Sequence, residues 1–260
     1  MRDVVAAQSP IVRLHFTSPP RALNGTRRRL ALRDGWRVQG NLHTLGYFAA
    51  DVCLGTPPTS YELIVDTGSS LMALPCAGCS HCGQHRRGAR FDVSKSSTSH
   101  TYSCSDTPPN MHCHSCTAGE CTYSVSYAEG SRISGRMLED RVVFASEKGG
   151  VTVPVAFGCQ TYESGLFNSQ VADGIVGFAW GSGYGMTLQD RLVEATNSPD
   201  IFSMCLAETV GALVLGGSLP KEPLGAPWIP FSSRSSYAVS ISAFRARLPQ
   251  TVAFAPPQSM

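Results

Sequence analysis

Two observations predict that this chain is an all-β protein. The 260 residues include 25 glycines and 17 prolines, which interrupt helices and favour turns. Between them lie many short runs rich in Val, Ile, Tyr and Phe, a pattern typical of strands. The hydrophobic fraction of 42% is enough for one large or two ordinary domains with a substantial core. No run of about 18 apolar residues occurs, so we expect no membrane span.

The first 44 residues are predicted to form a basic leader without clean periodicity. Residues 1–40 hold eight arginines against two aspartates, a net charge of +6, whereas the remaining residues hold 13 basic and 17 acidic groups. Such a leader can dock on an acidic body as a propeptide, although a spurious extension fits equally well. The run Arg27-Arg28-Arg29 lacks an accompanying aromatic or groove-reading motif, so we expect no nucleic-acid partner.

Ten cysteines and the glycosylation sequon Asn24-Gly25-Thr26 favour an oxidising compartment, and hence the secretory pathway. The N-terminus nevertheless shows no apolar stretch of the kind found in signal peptides. We therefore expect the true N-terminus to lie upstream of this sequence.

The central prediction concerns Asp66, which ends an apolar strand. Residues 47–52 form a first strand, and Tyr61, Leu63 and Val65 then alternate with less apolar neighbours in a second. A carboxylate at the end of a buried strand is costly unless neighbouring groups hold it. Thr67 and Ser69 offer hydroxyls, and Gly68 allows the backbone to turn sharply. The pattern favours acid–base chemistry at Asp66, with a plain strand-end turn as the alternative.

Residues 76–121 form an insert that is too polar to build a core of its own. We expect crosslinks to hold it. Zinc is the competing interpretation, because His85, His112 and His114 stand near cysteines at ligand-like spacing. The additional cysteines outside the insert favour disulfides, with no metal and no cofactor. Connectivity stays open, although Cys159 with Cys205 is attractive because both lie outside the insert. The disulfide candidates are Cys53, Cys76, Cys79, Cys82, Cys104, Cys113, Cys116, Cys121, Cys159 and Cys205.

The rest of the chain alternates strands with turns. Strands are predicted over residues 121–125 and 137–144, and the polar turn between them, from Tyr127 to Ser131, is either a surface turn or a flap over a cleft. Thr187 and Asp190 have the spacing of a capping box at the start of a short helix. Further strands are predicted at residues 153–157, 201–206 and 212–215, with a glycine-flanked apolar pair at 174–177.

Taken together, these elements resemble the N-terminal lobe of pepsin-like aspartic proteases. The resemblance rests on five motifs in order: Asp-Thr-Gly-Ser-Ser from Asp66, the cysteine-rich insert, Ser-Tyr-Ala-Glu-Gly-Ser around Tyr127, Asp-Gly-Ile-Val-Gly from Asp173, and Phe-Ser-Met-Cys-Leu from Phe202. The chain is most similar to the plasmepsin V group of apicomplexan export proteases, and its insert resembles the nepenthesin type.

The resemblance implies a role for each matching residue. Asp66 corresponds to the first catalytic aspartate, supported by Gly68, by the orienting hydroxyl of Ser69 and by Thr67, whose counterpart links the two lobes. Tyr127 corresponds to the flap tyrosine that closes over a bound polypeptide. Glu129 corresponds to a flap glutamate that selects arginine upstream of the cut, with Gln170 assisting. Ala73 stands where a tryptophan often supports the flap, so flap support must differ here.

The resemblance divides the chain into the leader at 1–44, a catalytic lobe at 45–219 and the start of a truncated C-terminal lobe at 220–260. Within the lobe, residues 76–121 are the insert and 122–144 the flap hairpin. No second Asp-Thr-Gly or Asp-Ser-Gly occurs, and no aspartate follows Asp200. We therefore expect a monomeric fragment of an aspartic endopeptidase that is inactive alone. The alternatives are a non-catalytic binding or inhibitor protein and a dimer that pairs two Asp66 side chains.

Overall fold

The computed structural model describes residues 11–12, 35–85, 88, 90–144, 150–180, 183–215, 229–233 and 236–241. Strands dominate the described part of the chain, which confirms the all-β prediction. In chain order the strands are β1 (Ile11–Val12), β2 (Gly35–Asn41), β3 (Tyr47–Leu54), β4 (Thr59–Asp66), β5 (Met72–Pro75), β6 (His100–Thr101), β7 (Ser115–Thr117), β8 (Glu120–Ser126), β9 (Arg132–Phe144), β10 (Val151–Ser164), β11 (Gly174–Gly177), β12 (Phe202–Leu206), β13 (Val210–Leu215) and β14 (Ile229–Pro230).

Twelve of these strands form one large sheet in the described part of the chain. Their order is β12-β13-β2-β3-β4-β11-β5-β10-β9-β8-β7, and β6 joins through β9. A further antiparallel pairing of β3 with β9 brings distant parts of this order together, so the sheet folds back on itself. The two remaining strands, β1 and β14, pair with each other. Most neighbours are antiparallel, whereas β11 runs parallel to β4 and β5 runs parallel to β10.

Residues 35–41 were expected to belong to the leader, and this expectation is wrong. They form β2, which lies between β3 and β13 and pairs with both. The apolar signal is weak because Val38 is the only buried residue between positions 36 and 41 of this strand. The predictions for residues 1–10, 13–34 and 242–260, which include most of the leader and the end of the chain, concern residues outside the described ranges.

Two apolar clusters line the curled sheet. The larger one collects side chains from β2, β3, β4, β9 and β10, with Phe157 and Leu138 fully buried. The smaller one lies beside the insert and the flap hairpin, and includes Tyr123, Ile133 and Met137. Burial of such side chains contributes about 1.5–3 kcal/mol each, and it fixes which face of each strand turns inward.

A single α-helix, α1 (Leu188–Thr196), is present in the described residues, and its predicted capping box is confirmed. The amide of Asp190 donates to the Thr187 hydroxyl at 3.1 Å, and the amide of Thr187 donates to the Asp190 carboxylate at 2.8 Å. Leu188 and Leu192 are buried against the larger cluster. The helix ends at Asn197, whose left-handed backbone (φ 49°) terminates it.

Four disulfides hold the insert, but the predicted pairing of Cys159 with Cys205 is wrong. Cys159 lies on β10, directly beside the parallel strand β5, so it reaches Cys76 just beyond β5 with a Cα–Cα distance of 5.3 Å. Cys205 lies on β12 at the far edge of the sheet and is a free thiol, as is Cys53, so neither of these candidates is crosslinked. The four bonds are Cys76–Cys159, Cys79–Cys82, Cys104–Cys116 and Cys113–Cys121.

These bonds also remove the basis of the zinc alternative. Every cysteine that was considered as a ligand beside His85, His112 and His114 is part of a disulfide, and a disulfide sulfur is not the thiolate that zinc requires. Crosslinking instead replaces the core that the insert lacks.

Candidate active site

Asp66 is the last residue of β4, and both oxygens of its carboxylate accept hydrogen bonds from residues that follow it closely in the chain. The amide of Gly68 donates to Oδ1 at 2.8 Å, and the hydroxyl of Ser69 donates to Oδ2 at 2.5 Å. Hydrogen bonds to a charged acceptor are the strong ones in proteins, contributing about 1.5–3 kcal/mol each. Thr67 is half-buried beside them and makes no side-chain hydrogen bond among the described residues. The predicted acid–base motif is therefore a carboxylate with a fixed orientation.

Strand β11 frames the backbone of this motif. It pairs with β4 so that Gly177 lies opposite Asp66, and the amide of Phe178 donates to the Asp66 carbonyl at 2.7 Å. The amide of Ala179 donates to the Ser69 carbonyl at 2.9 Å. A Cβ at Gly177 would lie 2.4 Å from that same carbonyl oxygen, so only glycine permits this approach. The glycine-flanked pair predicted from the sequence thus serves close backbone packing.

Tyr127 stands at the base of a hairpin turn between β8 and β9. Its amide donates to the Ser131 carbonyl at 2.9 Å, and Gly130 has the positive φ of 94° that the turn requires. The Tyr127 hydroxyl is buried, and burial together with the Asp66 carboxylate raises the pKa of Tyr127 well above its ordinary value. The nearby Ser69 hydroxyl lowers the pKa of Tyr127 and so offsets part of this rise, although the two hydroxyls form no well-aligned hydrogen bond. The hydroxyl thus stays protonated close to Asp66.

Phe167 supports Tyr127, and the sequence did not reveal this residue. The two rings lie 5.1 Å apart between centroids, and Phe167 is buried in the short 3-10 helix Gly165–Asn168 that follows β10. Ala73, which occupies the position expected for a supporting tryptophan, is buried in the same cluster. The small side chain at position 73 was the available signal, because it indicated that flap support had to come from elsewhere.

Glu129 and Gln170 lie on neighbouring segments beside the flap. Glu129 is exposed at the tip of the hairpin. Gln170 is half-buried in the loop after the 3-10 helix, and its side-chain amide donates to the Ala172 carbonyl at 3.4 Å. The 3-10 helix before that loop contacts the hairpin, because the amide of Leu166 donates to the Ser131 hydroxyl at 2.9 Å. The amide of Gln170 in turn donates to the Leu166 carbonyl at 2.8 Å, so Gln170 is joined to the helix that contacts the hairpin.

The described residues hold no group of three or more His, Cys, Asp or Glu side chains arranged to bind a metal ion. None of the helices within the described ranges is long and apolar enough to cross a membrane. The candidate site thus consists of one oriented carboxylate, its supporting hydroxyl and amide, and a protonated tyrosine whose pKa the Asp66 carboxylate raises.

Comparison with known proteins identifies the family. The family model described as xylanase inhibitor N-terminal matches residues 48–217. Aspartic protease 5 of Toxoplasma gondii is 37% identical over 74% of this chain, and plasmepsin V of Plasmodium falciparum is 34% identical over 71%. Aspartic proteinase nepenthesin-2 of Nepenthes gracilis is 29% identical over 70%.

The chain covers only part of each relative. It spans 22% of Aspartic protease 5, 32% of plasmepsin V and 40% of nepenthesin-2. Over residues 48–217, the matched family model nevertheless agrees with the all-β fold and with the order of the motifs. The chain belongs to the xylanase inhibitor N-terminal family, and it is the N-terminal portion of a pepsin-like aspartic protease fold similar to that of plasmepsin V.

Proposed function

We propose that this chain supplies one half of the catalytic site of an aspartic endopeptidase. The observation that carries the proposal is the hold on Asp66, whose two carboxylate oxygens each accept one hydrogen bond. The bond from the Gly68 amide is that of an ordinary Asx turn, whereas the second bond, from Ser69 to the other oxygen, fixes the whole carboxylate. A fixed carboxylate suits a peptidase, because a general base must face its water molecule in one orientation.

Peptide hydrolysis of this kind needs two carboxylates that share one proton. One carboxylate takes a proton from the attacking water, and the other protonates the carbonyl oxygen and later the leaving nitrogen. Asp66 supplies one of them, and Gly68 and Ser69 keep its oxygens in place. The Tyr127 hydroxyl is available as a donor toward a polypeptide held between the flap and the site.

The second carboxylate has to come from outside these 260 residues, which contain only one Asp-Thr-Gly motif. The isolated chain is accordingly proposed to be inactive. A second candidate is a non-catalytic binding or inhibitor protein, which the description of the matched family model favours. The retained Asp66 motif and flap tyrosine argue for the protease, since a pure binder does not require an oriented carboxylate.

Substrate selection is proposed to involve the flap. Glu129 is exposed at the hairpin tip, where a carboxylate can pair with the guanidinium of an arginine upstream of the cut. Gln170, which is bonded to the 3-10 helix that contacts the hairpin, is proposed to assist. The four disulfides are consistent with the secretory pathway, and we propose that the chain acts there as a monomer.

A chimera tests the protease proposal. This chain would replace the matching segment of plasmepsin V, so that the remaining part of that protein supplies the missing half. We expect the chimera to cleave peptides and Asp66→Asn to lower the rate by about 10²–10⁴-fold, the usual contribution of general acid–base catalysis. The matched control is Asp106→Asn, since Asp106 is an exposed carboxylate in the insert.

Two results would count against the proposal. Cleavage that survives Asp66→Asn would show that Asp66 is not catalytic. A folded chimera that binds peptides but never cleaves them would favour the binding protein. Peptide cleavage by the isolated chain, abolished by Asp66→Asn, would instead support pairing of two copies.

A further inference from the structure

One buried imidazole holds both ends of the segment from Glu163 to Gln170. The Nε2 atom of His85 lies 3.3 Å from Oε2 of Glu163, and the two side chains are only 2% and 0% exposed. The Nδ1 atom of the same ring lies 3.2 Å from the Gln170 carbonyl oxygen. The Nε2 contact is an ion pair rather than a well-aligned hydrogen bond. His85 belongs to the insert, so this ring joins the insert to both ends of the segment.

The middle of the segment contacts the flap hairpin. Ser164 pairs with Arg132 at the start of β9, and the amide of Leu166 donates to the Ser131 hydroxyl. Phe167 lies under the ring of Tyr127. A Cβ at Gly165 would lie 2.6 Å from Oγ of Ser131, so the segment and the hairpin are in close contact. The segment therefore contacts both Tyr127 and the hairpin that carries it.

The surroundings of the ring favour its charged form. Both ring nitrogens face acceptors, and only the doubly protonated imidazole carries a hydrogen on each. Burial lowers the pKa of His85, but the hydrogen-bonding and charge effects of Glu163, with smaller ones from the Gln170 carbonyl and Asp173, raise it further, so the net pKa exceeds its ordinary value. Glu163 also accepts from the amide of Gly83 at 2.8 Å, which fixes its carboxylate.

The neighbouring segments carry three other charged or titratable groups that bear on this pair: Arg90, Tyr123 and Asp173. Arg90 of the insert donates to the carbonyls of Cys79 and Cys82, and thus stiffens the backbone before His85. Tyr123, close to Glu163, is fully buried, and burial raises its pKa well above the ordinary value, so it stays neutral. Asp173 directs one carboxylate oxygen to the amide of Glu62 at 2.8 Å.

We propose that His85 is a positioning residue for the flap: paired with Glu163 and bound to the Gln170 carbonyl, it clamps the segment that supports Tyr127. The proposal rests on the proposed function, because Tyr127 and Gln170 matter for catalysis only if the lobe binds a substrate. It assigns the insert a task beyond its own disulfide framework, namely holding the substrate side of the lobe in place.

The clamp should respond to pH in one direction. A histidine with a raised pKa in the folded protein stabilises the closed arrangement below its ordinary value of about 6.5, and this contribution disappears as the pH rises through the raised pKa. The equilibrium constant for opening of the segment should therefore rise as the pH rises. The total rise should be about tenfold for each unit by which the pKa of His85 in the folded protein exceeds the ordinary value.

Two measurements on the 260-residue chain test the clamp. Nuclear magnetic resonance gives the pKa of His85 from its ring signals. Amide hydrogen exchange between about pH 5 and pH 9, corrected for intrinsic rates, gives the protection of residues 163–172. We expect protection of this segment to fall with the His85 titration while the amides of β3 keep theirs.

Glu163→Gln removes the charge and keeps the shape. In this variant burial should prevail, the pKa of His85 should fall below its ordinary value, and the segment should exchange at least about tenfold faster under acidic conditions. The matched control is His100→Gln. His100 pairs with Asp106 at 3.2 Å, but that pair is exposed, so the exchange of residues 163–172 should not change.

A folded Glu163→Gln variant with wild-type protection of the segment would overturn the proposal. If this variant does not fold, the measurements on the wild-type chain decide. Amide protection of residues 163–172 that stays constant while His85 titrates would overturn the proposal as well. Neither measurement uses peptide cleavage. A chimera that does not cleave peptides would therefore contradict the proposed function without deciding the role of His85.

Discussion

Loss of the Cys76–Cys159 disulfide should destabilise the lobe far more than loss of a short-range one. This bond closes a loop with a sequence separation of 83, whereas Cys113–Cys121 closes one with a separation of 8. In the chain-entropy model these separations correspond to about 4.5 and about 2.5 kcal/mol of stabilisation. Replacing each pair by two alanines should thus lower the free energy of unfolding by amounts that differ by about 2 kcal/mol.

The two double variants can be compared by urea unfolding followed by circular dichroism. If the longer crosslink acts by restricting the unfolded chain, its removal should also raise the dependence of the free energy on urea, because the unfolded state becomes less compact. Equal losses for the two pairs, or a loss at Cys76–Cys159 without any change in that slope, would refute the reasoning. The bond would then act through local packing around Cys159, which is fully buried on β10.

Two further predictions concern the flap. Phe167→Ala should lower stability by about 3–5 kcal/mol and release the Tyr127 ring, seen as faster exchange of residues 126–132; Phe167→Leu, which keeps an apolar side chain, should cost much less. Equal effects of the two variants would argue against ring support. In the chimera, Glu129→Gln should slow cleavage of arginine-containing peptides by about 10–100-fold, the worth of one charged hydrogen bond, and leave arginine-free peptides unaffected. Glu194→Gln, at an exposed helix position, is the control, and equal losses for both peptides would contradict selection by Glu129.

Local patterns predicted the elements of the lobe well. The alternation that predicted a strand before Asp66 corresponds to β4, and the spacing of Thr187 and Asp190 gave the start of α1. The hairpin around Tyr127 follows equally from nearby residues, and the glycines that flank residues 175–176 are a local signal of close packing, although the backbone that Gly177 approaches is that of Ser69. Each of these signals lies within about ten residues, where turn chemistry, capping and side-chain alternation decide the conformation.

Contacts between distant segments could not be predicted in the same way. The pairing of Cys159 with Cys76 depends on the parallel placement of β5 beside β10, which no local pattern encodes. The clamp at His85 joins residues from the insert, β10 and a later loop, so its members carry no common sequence signal. The contact between Phe167 and Tyr127 is another of this kind. Strand β2 has a weak apolar pattern, because Val38 is its only fully buried side chain.

The frame around Asp66 also determines when the site can form during folding. The residues that orient its side chain follow at once in the chain, but the amides of Phe178 and Ala179 that hold its backbone come only after the whole insert and the flap hairpin. Pairings across such long stretches form slowly, because the chain must close a large loop before they are made. A nascent chain that ends within the insert would carry the complete Asp66 motif without its geometry. The lobe thus delays assembly of the frame around Asp66 until most of its own sequence is in place.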